Sequence, residues 1–123
     1  LYDMVMLKDN HVDFAGGIKA AVVRTKAYLA QTNRTLAIEV ETRNLQEVKE
    51  ALQAGVDRIM LDNFTVSATK EAVEYIAGRT EVESSGGITR HTLVPYAECG
   101  VDYISVGALT HHIKGLDMSL KAL

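Results

Sequence analysis

Ile38-Glu39-Val40-Glu41, read together with Ile59-Met60-Leu61-Asp62, decides how this chain is understood. Each is a short apolar run of strand type that closes on a carboxylate. Parallel strands buried on both faces normally read as plain aliphatic runs. A carboxylate near a strand end, where the backbone hands over to a loop, costs stability unless it is paired or binds something. The two runs therefore pose the question of fold and the question of function together.

Strands and helices alternate on either side of them. Met4-Val5-Met6-Leu7 predicts a strand, stopped by the polar group Lys8-Asp9-Asn10-His11 and followed by a loop through Gly16-Gly17. Ile18, Ala21, Val22 and Leu29 recur at helical spacing until Asn33-Arg34 breaks the pattern. Leu36 to Val40 predicts the next strand. Asn44 with Glu47 has the form of a capping box, with Leu45, Val48 and Leu52 as the apolar face and Gly55 as the stop. Arg58 to Leu61 predicts a strand. Ser67 then caps a helix whose inner face is Ala72, Val73 and Ile76, closed by Gly78. Glu81-Val82-Glu83-Ser84 is strand-like, and Ser85-Gly86-Gly87 is a tight loop. A helix is expected between Thr89 and Cys99, with Pro95 tolerated only near its start and Gly100 at its end. Tyr103-Ile104-Ser105-Val106 predicts a fifth strand, and Leu116 to Leu120 a closing helix.

An internal echo supports a regular array. Ala54-Gly55-Val56-Asp57-Arg58-Ile59 and Cys99-Gly100-Val101-Asp102-Tyr103-Ile104 both read as helix end, glycine cap, Val-Asp, strand. Strand followed by helix, repeated, gives a parallel sheet with right-handed crossovers. Alternation along the strands then separates two faces. One collects Val5, Leu7, Ile38, Val40, Ile59, Leu61, Val82, Ile104 and Val106, a surface for helices. The other collects Met4, Met6, Lys8, Glu39, Glu41, Met60, Asp62, Glu81, Glu83, Tyr103, Ser105 and Gly107. A doubly wound sheet would be apolar on both faces, whereas a β/α barrel can gather polar groups inside. The expected fold is therefore α/β, a parallel β/α (TIM-like) barrel. Five units cannot close eight strands, so residues 1–123 are expected to form its C-terminal part.

Composition narrows the classes. The chain has 123 residues, 47% hydrophobic and 24% charged, which suits one globular domain. A formal net charge of -3 gives no reason to expect nucleic acid or an anionic membrane. No apolar run reaches membrane-spanning length. Cys99 stands alone, which excludes a disulfide framework and fits a reducing compartment, here expected to be the cytoplasm.

In β/α barrels the active site lies at the carboxyl ends of the strands, with phosphate held by the last two loops. The strand ends here are Lys8, Glu41, Asp62, Ser85-Gly86-Gly87 and Gly107-Ala108. The glycines bring backbone N–H groups close to a ligand just before a helix, which suits a phosphate. Glu41 and Asp62 suit Mg²⁺, which takes one or two carboxylates plus substrate oxygens, or the stabilisation of positive charge in a transition state. The alternative is a pairing with Lys8 or with an interior arginine. Spacing alone does not choose between Glu39 and Glu41, although Glu39 lies deeper. Lys8 either neutralises an anionic substrate or pairs with Glu41. Asp9, Asn10 and His11 shape the loop. His111 is placed to touch a phosphate at Gly107, while His91 and His112 read as surface residues. Cys99 reads as a small buried hydrophobe.

Five ordered stretches resemble one known family. They are Met6-Leu7-Lys8-Asp9-Asn10-His11, Ile38-Glu39-Val40-Glu41, Ile59-Met60-Leu61-Asp62-Asn63, Glu83-Ser84-Ser85-Gly86-Gly87-Ile88 and the run from Gly100 to His111. The family is quinolinate phosphoribosyltransferase (nicotinate-nucleotide pyrophosphorylase, carboxylating). The resemblance implies transfer of phosphoribosyl from phosphoribosyl pyrophosphate to quinolinate, with release of pyrophosphate and CO₂, on the way to NAD. It implies Mg²⁺ as cofactor and a homodimer or larger homo-oligomer. It assigns Lys8 to quinolinate or the pyrophosphate side, Glu41 and Asp62 to the ribose and the metal, and Ser85, Gly86, Gly87, Gly107 and Ala108 to the 5-phosphate. Members also carry an N-terminal α/β domain and earlier barrel strands with basic motifs for the quinolinate carboxylates, which these residues lack. The 123 residues alone are accordingly expected not to turn over substrate. A paralogue with another acceptor, or a non-catalytic phosphate-binding or assembly module, are the competing readings.

Overall fold

Among the residues described by the computed structural model, 4–107, five parallel strands lie side by side in chain order. They are β1 (Met4–Leu7), β2 (Ala37–Thr42), β3 (Arg58–Asp62), β4 (Glu81–Ser85) and β5 (Tyr103–Ile104). The helices are α1 (Asp9–Ala15), α2 (Ile18–Gln31), α3 (Leu45–Ala54), α4 (Val66–Ile76) and α5 (Leu93–Glu98). The strand order never reverses, as it would at the switch point of a doubly wound sheet. The core also lies on one face only. Leu7, Ile38, Val40, Ile59, Leu61 and Val82 meet helix residues such as Val12, Ile18, Val22, Val48, Ala72 and Ile76. The opposite face carries the charged residues, so the sheet is a run of β/α-barrel staves.

The repeated Gly-Val-Asp has a structural job at the other end of the strands. Asp57 donates its N–H to the Ile38 carbonyl (2.9 Å), and its carboxylate accepts the Ile38 N–H (2.7 Å). Asp102 repeats the clasp two staves later, between β5 and β4, with Val82 (2.9 and 2.8 Å). Each aspartate pins the entry of its own strand to the entry of a neighbouring one and so fixes the register. The β2–β3 register aligns Glu41 with Met60. Between β3 and β4, where the Thr80 hydroxyl donates to the Val56 and Asp57 carbonyls, Met60 aligns with Glu83 and Asp62 with Ser85.

Several boundaries differ from the sequence expectation. Residues 9–15 form α1 rather than a polar stop and loop. The helix starts where His11 Nδ1 accepts the Lys8 N–H (3.1 Å), and Val12 is its one buried residue, too little to print a period in the sequence. Thr65, not Ser67, caps α4, accepting the Ala68 N–H. That helix closes on Ala77 in the left-handed region (φ 50), one residue before Gly78. In α3 Asn44 accepts the Glu47 N–H as expected, but the Glu47 carboxylate reaches the Arg43 N–H instead of Asn44. Strand β2 runs on through Glu41 to Thr42. Helix α5 begins at Leu93, so Pro95 sits in its first turn, where a proline is tolerated. The Leu116 to Leu120 helix lies outside the described residues.

Replacing Asp57 with Ala should lower stability by about 1–3 kcal/mol, because it strands a strand-entry N–H. Urea denaturation of the native-length protein checks this; an unchanged midpoint would show that the clasp does not matter.

Candidate active site at the carboxyl ends of the strands

The β2 and β3 ends are locked together by Thr42. Its fully buried hydroxyl donates to the Met60 carbonyl at 2.8 Å. This holds Glu41 beside Asp62, close enough that the Asp62 charge acts on the Glu41 carboxyl. Burial raises the Glu41 pKa above the ordinary carboxylate value, the Asp62 charge raises it further, and Lys8 opposes both. Lys8 Nζ stands 3.9 Å from Glu41 Oε2, a loose pair with an exposed ammonium. The Asp9 N–H, at the start of α1, also donates to the Glu41 carboxylate. Both alternatives for Lys8 thus survive in one geometry: it faces Glu41 and remains accessible to an anion. Arg43, the next cation along, is turned to Glu47 (2.7 Å) and Asp13 (3.2 Å).

On the far side of Asp62 lies the glycine loop. Asp62 is in register with Ser85, the last residue of β4, and Gly86 and Gly87 follow with φ 89 and 62. Gly107, after β5, is exposed at the same end. Lys8, Glu41, Asp62, Ser85, Gly86, Gly87 and Gly107 therefore all stand at the strands' carboxyl ends. Ala108, His111 and His112 lie outside the described residues. His91 is exposed in the turn before α5, and Cys99 is half-buried with its Sγ 3.3 Å from the Pro95 carbonyl.

Beneath this mouth is a charged network that the sequence reading did not assemble. Arg58, Glu81 and Glu83 share the interior face with Glu39. Arg58 contacts Glu81 at 2.8 Å and Glu83 at 3.6 Å, and its guanidinium lies 3.8 Å from the centre of the Tyr103 ring. Glu83 also accepts a hydrogen bond from the Ser105 hydroxyl. Glu39 is 2% exposed, and its Oε1 has no hydrogen-bond partner among the described residues. Burial, then the hydrogen-bonded Glu83 carboxylate, raise its pKa from 4.5 to about 7, and Arg58 offsets this only in part. The choice between the two acids is thereby made by position: Glu39 belongs to the interior network and Glu41 to the mouth. Alternation could have found Arg58, which shares the parity of Met60 and Asp62.

A cleft of about 600 Å³ opens at the opposite end of the sheet, lined by Asp57, Arg79, Thr80, Glu81 and Asp102 among others. Its aspartates are the two strand clasps, so this cleft belongs to the architecture and not to the chemistry.

The family model for the C-terminal domain of quinolinate phosphoribosyl transferase matches residues 1–121. The chain belongs to this family. It is 48% identical to the chloroplastic nicotinate-nucleotide pyrophosphorylase [carboxylating] of Oryza sativa subsp. japonica, covering 98% of this chain and 37% of that protein. It is 42% identical to a probable nicotinate-nucleotide pyrophosphorylase [carboxylating] of Methanocaldococcus jannaschii, covering 98% of this chain and 44% of that protein. The nicotinate-nucleotide pyrophosphorylase structure from Francisella tularensis superposes with a TM-score of 0.83 at 42% identity, over 93% of this chain and 39% of that one. The chain thus spans less than half the length of these quinolinate phosphoribosyltransferase relatives. Among the described residues no helix is long and apolar enough to cross a membrane.

The Glu39 carboxyl yields a pH prediction. Its folded pKa, about 7, lies above the ordinary 4.5, so between those values the folded chain holds more protons than the unfolded one. Its contribution to stability is present below that window and is lost as pH rises through it. Glu39→Gln should therefore flatten the fall in urea midpoint across this range and help more at pH 8 than at pH 5. Identical slopes in both proteins would remove the assignment.

Proposed function

We propose that this chain provides the C-terminal barrel portion, residues 1–123, of an enzyme that transfers phosphoribosyl from phosphoribosyl pyrophosphate to quinolinate with loss of CO₂. The products are nicotinate mononucleotide, pyrophosphate and CO₂. The observation that carries this reading is the placement of Lys8, Glu41, Asp62 and the Ser85-Gly86-Gly87 loop at one end of the sheet, in a chain of this family.

The chemistry follows from charge. As the bond from C1′ to pyrophosphate oxygen breaks, positive charge develops on the ribose. Glu41 and Asp62 face it from one side and favour that state over the ground state. The pyridine nitrogen attacks C1′ with its lone pair, and pyrophosphate leaves with the electrons of the broken bond. The nitrogen is now cationic. The carboxylate on the adjacent carbon can then leave as CO₂, its electron pair held beside that cation until a proton replaces it. Ser85, Gly86, Gly87 and Gly107 grip the 5-phosphate, with Ala108 and His111 assigned to the same group. Lys8 holds an anionic part of quinolinate or of the pyrophosphate.

Mg²⁺ fits the donor set as a companion of substrate. Glu41 and Asp62 are two carboxylates on adjacent strands, and among the described residues no group of three or more ligating side chains would hold an ion by itself. An ion that takes one or two carboxylates and completes its shell with phosphate oxygens and water suits such a pair. When bound it would offset the charge of the leaving pyrophosphate. We further propose a homodimer or larger homo-oligomer and, given the single cysteine, a reducing compartment such as the cytoplasm; plant relatives carry chloroplastic or mitochondrial in their names.

Glu41→Ala and Asp62→Ala in the native-length protein should each lower kcat about 100-fold or more, the scale of removing one preorganised electrostatic group. Release of CO₂ from carboxyl-labelled quinolinate measures this. Activity near wild type in both variants would remove the roles given to these acids.

A further inference from the structure

We propose that Asn63 is a positioning residue that holds the Asp62 carboxylate and the Ser85-Gly86-Gly87 loop in one fixed relation. Three contacts converge on it. Its side-chain Nδ2 donates to Asp62 Oδ2 at 3.0 Å. Its backbone N–H donates to the Ser85 carbonyl at 2.9 Å, just before the glycines. Its carboxamide and backbone lie directly against Gly86, where an added Cβ would meet Asn63 Oδ1, with Cγ at 2.6 Å and N at 2.7 Å. Gly86 is thus required twice, by its own φ of 89 and by the approach of Asn63.

The backbone explains why asparagine stands here. Asn63 has φ 55, in the left-handed region that most side chains avoid and asparagine tolerates. That conformation turns the chain sharply at the end of β3, so that residue 63 bonds back to Asp62 and across to β4 at once. Asn63 is also exposed. Water would satisfy its amide and the Asp62 carboxylate if they were apart, so their bond adds little to stability and acts on orientation. It restricts rotation of the Asp62 carboxylate and leaves the second oxygen for the sugar. The contact with Gly86 then sets that carboxylate at a constant distance from the phosphate loop. A ribose 5-phosphate held at both ends needs that distance to be constant.

This inference rests on the proposed roles of Asp62 and the glycine loop, and the experiment separates the two. The native-length protein is prepared as wild type, Asn63→Gly, Asp62→Ala and the double variant. Glycine keeps the left-handed backbone and the N–H to Ser85 and removes only the carboxamide. Asn63→Gly should leave the melting temperature within error of wild type and lower kcat/KM for phosphoribosyl pyrophosphate about ten-fold, within the cost of misplacing a positioned group. In the Asp62→Ala background the same change should cost less than about two-fold, because groups acting as one unit are not additive. Calorimetric affinity for phosphoribosyl pyrophosphate provides the same comparison where turnover is too slow to follow. Full activity of Asn63→Gly, or an undiminished ten-fold loss without Asp62, overturns the positioning role alone. Wild-type activity of Asp62→Ala overturns the reading of the site beneath it.

Discussion

Arg58 is the interaction on which the interior of this sheet depends. Glu39, Glu81 and Glu83 are gathered on one face of β2 and β4, and Arg58, on β3 between them, is the guanidinium that meets two of them directly. The Tyr103 ring covers it from β5, and Tyr103 and Ser105 add hydroxyls to the carboxylates. A buried ionic group is tolerable only when its partners are also in place. Glu39 shows where that compensation ends. The Arg58 charge does not fully offset its burial beside Glu83, so the group stays neutral at pH values where an exposed glutamate has ionised. The interior is thus a ladder of charges on β2, β3 and β4, joined to β5 by the Tyr103 ring and hydroxyl.

The site sits on top of that ladder. Because side chains alternate, Glu41 falls on the same face as Glu39 and two residues nearer the mouth, and Asp62 stands likewise above Met60 and Arg58. The Gly-Val-Asp clasps fix the strand entries, Thr42 ties the ends of β2 and β3, and the charged network ties β2 to β5 in between. A carboxylate pair built on strands braced at three levels has little freedom to collapse onto Lys8. Lys8 Nζ stays 3.9 Å from Glu41 Oε2, with its ammonium exposed.

Much of this was legible in the sequence, for identifiable reasons. Period-2 alternation in Ile38 to Glu41 and Ile59 to Asp62 separates a helix face from a charged face, and a charged face implies a barrel interior. Gly55 and Asn44 announced their caps because both act through local chemistry. The losses have equally local causes. Helix α1 buries only Val12, so no apolar period marks it. Thr65 and Ser67 offer the same hydroxyl two positions apart, and only the backbone decides between them. Ala77 adopts a conformation that Gly78 was expected to supply. Arg58 opens its strand, where a cation reads as solvent-facing, although parity places it inside. Asn63 carries no signal of its own in the sequence, because its role depends on a left-handed backbone and on Gly86 approaching from the loop after β4.

The central claim is that one end of the sheet binds a phosphorylated ribose between the β2 and β3 acids and the loop after β4. A crystal structure of the native-length protein with phosphoribosyl pyrophosphate and Mg²⁺ tests it most directly. The account predicts the 5-phosphate against the backbone of Gly86 and Gly87, with the ribose hydroxyls facing Glu41 and Asp62. A ligand bound instead in the cleft between Asp57, Thr80 and Asp102, at the other end of the strands, would contradict it.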